Sequence, residues 1–175
     1  LKNKKYFFII IYKKIQMENI IERYIPPSLS QSDLKKQKKN IIKSRKLYRK
    51  GKYFQRPKVK SFKSKKSRHL EHARKLYGID KIHPSKELAE KTQCSQEALE
   101  QIVNKGRGAY YSSGSRPNQT AESWGIARLA SSITGGNASI VDYHILKSGC
   151  KKTSKALKLA NKTCKKQGKC KNSAK

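Results

Sequence analysis

Residues 85–106 read Ser-Lys-Glu-Leu-Ala-Glu-Lys-Thr-Gln-Cys-Ser-Gln-Glu-Ala-Leu-Glu-Gln-Ile-Val-Asn-Lys-Gly, and this stretch decides the expected fold class. Ser85 and Ser95 each stand before a run of helix formers, where a serine hydroxyl accepts a hydrogen bond from a backbone N–H of the first turn. Leu88 and Ala89, then Leu99, Ile102 and Val103, fall at helical spacing. The pattern predicts one helix over residues 86–92 and a second from Ser95 to about Lys105, stopped by Gly106. Residues 87–103 have the spacing of a helix-turn-helix: Ala89 permits a close crossing and Cys94 takes the buried turn position. Two features oppose base reading. The face that would enter a groove carries Gln96, Glu97, Glu100 and Gln101, whose carboxylates repel phosphate. Gln93 also stands where the turn usually has glycine. The pair is therefore expected to serve packing.

Working outward, further helices follow from caps and stops. Ser30 with Asp33 three residues on resembles a capping box before a helix running to about Lys50, closed by Gly51. Leu34, Ile41 and Tyr48 recur every seven residues along it, and lysines fill most other positions. Pro57 interrupts helical periodicity, so residues 52–66 are expected to be extended and basic. A helix over about 67–77 stops at Gly78. Another, capped by Thr120, runs to about Thr134 with Trp124 as a core anchor. A last one, capped by Asn137, runs to about Lys147 with Gly149 as its stop. The expectation is an all-α fold: a compact helical domain over 67–149, a basic helix and linker arm over 17–66, and a Lys-rich tail over 150–175 that turns helical on binding.

The charge balance names a class of partner. The chain has 175 residues, 43 Lys and Arg against 11 Asp and Glu, a net charge of +32 and 35% apolar residues. That composition supports one modest core and excludes a large multi-domain enzyme. By segment, residues 34–68 carry 17 basic and no acidic side chains, 69–146 carry 9 and 8, and 147–175 carry 11 and none. Such cationic blocks repel one another and are attracted to polyphosphate. Candidate phosphate contacts are Lys35, Lys36, Lys38, Lys39, Lys43, Arg45, Lys46, Arg49 and Lys50 on the basic helix. Arg56, Lys58, Lys60, Lys63, Lys65 and Lys66 extend the set along the linker.

A second candidate contact lies in residues 106–118, read as a glycine-rich loop. Its three glycines allow close backbone approach, Arg107 and Arg116 can fork onto phosphate or carboxylate, and Tyr110 and Tyr111 offer stacking faces. The alternative is an ordered connector whose tyrosines fill core and whose arginines pair with Glu122 or Asp142. No Walker pattern or dinucleotide fingerprint occurs, and no cofactor is expected. Tyr111, Ser113, Arg116, Glu122 and His144 could be drawn into a phosphoryl-transfer site, and Glu122 with Asp142 into a nuclease metal site, but no spacing demands either. His144, Cys150, Cys164 and Cys170 are zinc-ligand types without a tight C-x-x-C knuckle, so no metal site is expected. Without a secretion signal, reduced cysteines are the default. The apolar run over residues 6–12 falls far short of the about 20 residues that span a bilayer, so no membrane partner is expected. Residues 1–16 are almost all codable by A and T alone. They are read as upstream translation or a disordered stretch before Met17.

Tyr24-Ile25-Pro26 with Ser28-Leu29-Ser30, the run from Arg56 to Ser67, the run from Gly106 to Thr120, Ser123-Trp124-Gly125, Ala127 to Ala130, Gly135-Gly136 and Val141-Asp142 together resemble an uncharacterised domain family of giant and other large DNA viruses. The resemblance covers about residues 24–150. It implies a viral source and a place in the virion, the host cytoplasm or a viral factory, and it brings no activity or site residue with it. The functional expectation is binding of nucleic acid, DNA first, through the basic arms with little sequence choice. The alternative is a virion or capsid-associated structural protein, and a nuclease or other phosphoryl-transfer enzyme comes third.

Overall fold

The computed structural model describes residues 19–169. The readings made for residues 1–16, for the arm's first two residues and for residues 170–175, Cys170 included, lie outside them. The chain is all-helical, with no strand among the described residues. The eight α-helices described are α1 (Gln31–Tyr48), α2 (Arg68–Tyr77), α3 (Lys86–Thr92), α4 (Gln96–Ser112), α5 (Ala121–Ile133), α6 (Asn137–Val141), α7 (Tyr143–Gly149) and α8 (Lys155–Lys166). Two compact units share the chain. Unit 1 takes residues up to Ser64 with Ala109–Thr120, and unit 2 takes Lys65–Gly108 with the chain from Ala121 on.

Unit 2 is organised around α5, which packs against α2, α6 and α8. Its residues Gly125, Leu129, Ala130, Ser131, Ser132 and Ile133 are buried, because small side chains let neighbouring helices close in on several sides. Leu88, Leu99, Ile102, Leu129, Ile133 and Leu146 are fully buried. Each contributes about 1.5–3 kcal/mol relative to exposure. The Tyr77 hydroxyl donates to the Ile133 carbonyl at 2.6 Å, closing the last turn of α5 onto α2. Asp142 is also fully buried. It accepts a two-pronged bond from Arg128 at 2.7 and 2.8 Å and one from Ser132 at 2.8 Å, with the Lys105 ammonium at 3.1 Å. A buried carboxylate persists only when paired and hydrogen-bonded in this way.

Four expectations change. First, Gly106 does not stop α4, which continues to Ser112. A Cβ on Gly106 would lie 2.5 Å from the Gly125 Cα, and one on Gly125 would lie 2.8 Å from the Val103 carbonyl oxygen. These glycines mark the crossing of α4 and α5, so the expected loop begins only after Ser112. Second, the helix expected from Asn137 is two short helices, because Asp142 leaves helical geometry with φ −100° and ψ 11°. Third, the chain after Gly149 is not simply a tail: α8 buries Ala156, Leu157, Ala160 and Cys164. Fourth, Cys94 and Cys150 form a disulfide, where reduced thiols were expected. The bridge sits inside one antiparallel contact, where the Ser95 N–H donates to the Gly149 carbonyl and the Lys151 N–H to the Gln93 carbonyl.

The α3–α4 pair forms with the expected caps. The Ser85 hydroxyl accepts from Leu88 N–H and the Ser95 hydroxyl from Ala98 N–H, both at 3.1 Å. Gln93 takes the left-handed conformation, φ 55°, that glycine usually supplies. Its side-chain oxygen accepts from the Thr153 hydroxyl at 2.8 Å. Glu97, Glu100 and Gln101 are exposed on α4.

Candidate nucleic-acid interface

Unit 1 is built on α1. The Ser30 hydroxyl accepts from the Asp33 N–H at 3.3 Å, and the helix turns Gln37, Ile41, Ser44 and Arg45 inward. Three of those four are polar, yet each is satisfied by backbone. The Gln37 amide donates to the Tyr24 and Ser115 carbonyls at 3.1 and 3.2 Å. The Ser44 hydroxyl donates to the Tyr111 carbonyl at 3.1 Å. Arg45 donates to the Ser113 carbonyl at 2.7 and 3.1 Å and to that of Asn19 at 3.1 Å.

The basic segment after α1 is extended, as its proline predicts, and it returns along the helix. Its contacts move back toward the start of α1: the Lys43 ammonium lies 4.5 Å from the Phe54 ring centre and Arg56 reaches Ser44, and further on the Lys36 ammonium donates to the Lys58 carbonyl at 3.2 Å. The Ser61 N–H and hydroxyl donate to the Asp33 carboxylate at 2.8 and 2.7 Å. Those Ser61 bonds, the backbone one first, hold the Asp33 carboxyl below its ordinary pKa. Asn118 clamps the same segment, accepting from the Val59 N–H and donating to the Val59 and Phe62 carbonyls at 2.8 to 3.2 Å. With φ 61°, Asn118 occupies a conformation that asparagine tolerates better than most residues.

Arg56 lies at the centre. Its guanidinium donates to the Tyr110 carbonyl at 2.7 Å, the Ser115 hydroxyl at 2.6 Å and the Ser44 hydroxyl at 3.2 Å, and it sits 3.6 Å from the Tyr110 ring centre. Burial pushes its pKa down, although a guanidinium starts high enough to remain charged. Arg45, Arg56 and Tyr110 are all buried. Of the expected polyanion contacts, these three form the interior of unit 1 and offer no surface to a ligand.

The other cations of unit 1 face outward. Lys35, Lys36, Lys38, Lys39, Lys43 and Lys46 on α1, Arg49 and Lys50 just past its end, Lys58, Lys60 and Lys63 on the extended segment, and Arg116 are exposed. At 3.6 residues per turn the exposed α1 lysines fall on one continuous face of about half the circumference, and at 1.5 Å per residue it is about 17 Å long. The described part of unit 1 holds 16 Lys and Arg against Glu22 and Asp33, and only Arg45 and Arg56 of the 16 are buried. Lys65 and Lys66 are exposed at the start of unit 2.

The residues of the expected loop separate. Arg107 lies in unit 2, where it binds the Glu122 carboxylate at 2.6 and 2.7 Å and the Asn104 side chain at 2.7 Å. That is the connector alternative for this arginine. Tyr111 and Arg116 lie in unit 1. His144 is exposed on α7, and Asp142 is engaged as described above, so Glu122 and Asp142 have separate cationic partners. No cluster of three or more His, Cys, Asp or Glu placed for a metal occurs among the described residues. The sulfur of Cys150 is bonded to Cys94. No described helix is long and apolar enough to cross a membrane.

The Lys-rich tail, expected to turn helical on binding, holds a helix already formed and packed, with a second cationic face. On α8, Lys155, Lys158, Lys162, Lys165 and Lys166 are exposed opposite the buried Ala156, Leu157, Ala160 and Cys164. The three-and-four spacing of both sets was a readable signal.

Nothing among curated proteins and nothing among solved structures matches the chain. A family of unknown function, DUF5824, matches residues 22–147. That span takes in α1 to α6 and most of α7, and it ends before Cys150 and α8. The chain therefore belongs to DUF5824.

Proposed function

We propose that the protein binds nucleic acid, DNA first, and that unit 1 grips the phosphate backbone with little sequence choice. The supporting observation is the cationic face of α1: six exposed lysines along about 17 Å of the helix, continued by Arg49 and Lys50 just past its end, with the helix's one carboxylate, Asp33, engaged by Ser61. Lysines held on a fixed helix lose less freedom on meeting phosphates than lysines on a loose arm. Phosphate contacts of this kind position a protein on a polyanion without reading bases. The exposed lysines of α8 supply a second contact of the same chemistry.

The test is binding of the full chain to a labelled 20-base-pair duplex, followed by fluorescence anisotropy. If six to ten phosphates are engaged, affinity falls about 10³- to 10⁵-fold between 50 and 200 mM salt. Lys35→Glu with Lys39→Glu and Lys46→Glu should flatten that slope by about one unit per lost phosphate contact. Salt-independent binding, or none at low ionic strength, rejects the reading.

The source and site of action belong to the same proposal: a large DNA virus, with the protein in the virion or in the cytoplasmic viral factory of an infected cell. The A- and T-codable residues 1–16 support it. A second reading, a structural protein of the particle, is favoured by a shallow groove of about 430 Å³ in unit 2, floored by Leu70, Ile82 and Ile126 and rimmed by Arg74, Lys81, His83 and Glu122. A protein partner seated there would be retained by the triple charge-reversed variant, whereas nucleic acid would be lost. Mass spectrometry of crosslinked, infected-cell material distinguishes the two and tests the source.

A further inference from the structure

Tyr53 is the most exposed large apolar side chain among the described residues, at 71%, ahead of Val141 at 58% and Ile21 at 47%. It is nonetheless held in place. Its ring meets that of Tyr111 edge-on at 5.0 Å and that of Tyr48 edge-on at 6.0 Å. Tyr48 and Tyr111 stack on each other at 6.1 Å with 10° between their planes. Tyr111 in turn meets Tyr110 edge-on at 5.0 Å, and buried Tyr110 carries the Arg56 guanidinium on its face. The cluster is thus anchored at its inner end and open at its outer one.

Its neighbours in the chain are cations. The sequence Tyr48-Arg49-Lys50-Gly51-Lys52-Tyr53 makes one turn at the end of α1, with Gly51 at φ 70°. Arg49, Lys50 and Lys52 are all exposed. A braced ring beside cations is suited to a base attached to a phosphate: the ring stacks and the cations hold the backbone. Bases of a closed duplex are already stacked on each other and cannot reach a ring that projects from a surface. Unpaired bases can.

We propose that Tyr53, braced by Tyr48 and Tyr111, is a stacking platform for an unpaired nucleobase, giving unit 1 a mode of binding single-stranded nucleic acid that closed duplex cannot use. This rests on the nucleic-acid reading above and adds the class of strand. The face of α1 contacts phosphates of either form. The platform contributes only when a base is free.

The experiment compares the full chain and its Tyr53→Ala, Tyr53→Phe and triple charge-reversed variants on (dT)20 and on a blunt-ended 20-base-pair duplex with G·C pairs at both ends, at one ionic strength. Tyr53→Ala should weaken (dT)20 binding about 5- to 100-fold, the range of losing one base stack, and change duplex binding less than about twofold. Tyr53→Phe, which keeps the ring, should bind (dT)20 like the native chain. The charge-reversed variant should lose both ligands. Tyr53 is exposed, and circular dichroism of each variant confirms an intact helix content. An unchanged (dT)20 affinity in Tyr53→Ala overturns the platform, as does an equal loss on both ligands or a failure of Tyr53→Phe to hold the affinity. If the native chain binds neither ligand at low salt, the nucleic-acid reading itself fails and the platform with it. Loss of the platform alone leaves duplex binding and its salt slope intact.

Discussion

Arg56 shows how one residue can be taken for ligand chemistry and prove to be architecture. It sits in a run of cations, yet its guanidinium ties the extended segment to Tyr110, Ser115 and Ser44. Arg56→Ala would leave the Ser115 hydroxyl and the Tyr110 carbonyl without that partner and open space beneath the ring. A cost of about 3 kcal/mol follows, seen as faster hydrogen exchange at the Arg56, Val59 and Ser61 amides. Arg56→Lys should restore only part, since an ammonium cannot reproduce a flat, forked donor set stacked on a ring. Unchanged exchange at those amides in Arg56→Ala would remove Arg56 from the centre of unit 1. Asp33 gives a pH test of the same segment. Its carboxyl is lowered from the ordinary 3.8 by the Ser61 bonds, so the folded form binds its proton less readily than the unfolded form. The stabilisation is complete above the unfolded value and is lost as pH falls through the lower folded one. Native protein should therefore exceed Asp33→Ala in stability at pH 7, and urea midpoints of the two should converge in acid. A gap that does not narrow as pH falls below the ordinary 3.8 contradicts the assignment.

Elements were legible where a single local cause sets them. Ser30, Ser85 and Gly78 mark their helix ends in the structure as their chemistry predicts, and Pro57 keeps its segment extended. Gly106 was misread because glycine has two uses that look alike in sequence. It can end a helix, or it can let two helices touch. Only Gly125, 19 positions on and on another helix, decides between them, and that is a tertiary fact. The same limit hid Arg56: nothing local separates a buried cation from its exposed neighbours. By contrast the stripe of α8 was readable from its spacing at Ala156, Leu157 and Ala160, and only the addition of Cys164 and the packing of the helix against the rest of unit 2 went beyond it. The crossing itself is testable. Alanine at Gly106 would gain helix propensity, about 0.5–1 kcal/mol, but its methyl would need the Gly125 backbone to move. Overpacking of this kind costs about 1–3 kcal/mol, so Gly106→Ala and Gly125→Ala should both lower the thermal midpoint. A rise for either would mean that the helices have room at that point.

At the scale of the molecule, the Cys94–Cys150 bridge spans 56 positions and encloses α4 to α7, which places much of unit 2 and the excursion into unit 1 within one covalent loop. Closing a loop of that length restricts the unfolded chain by an amount worth about 4 kcal/mol at 25 °C in the chain-entropy account. That is a large share of the 5–15 kcal/mol typical of a domain, and it matters more in a chain whose cations repel each other. Reduction should therefore lower the denaturant midpoint of unit 2, read from Trp124, the one tryptophan of the chain and a residue of α5. Cys94→Ser with Cys150→Ser should lower it equally and remove the response at this bridge, so that adding reductant then changes the midpoint far less than in the native chain. The prediction also separates two causes. If the loss comes from the unfolded chain, the paired variant should keep its helix content and its native amide protection while unfolding more easily. If the bridge instead shapes the turn at Gln93, the paired variant should lose the amide protection of Ser95 and Lys151, whose N–H groups flank the disulfide. A native chain with both of these thiols free after purification without reductant would refute the bridge itself.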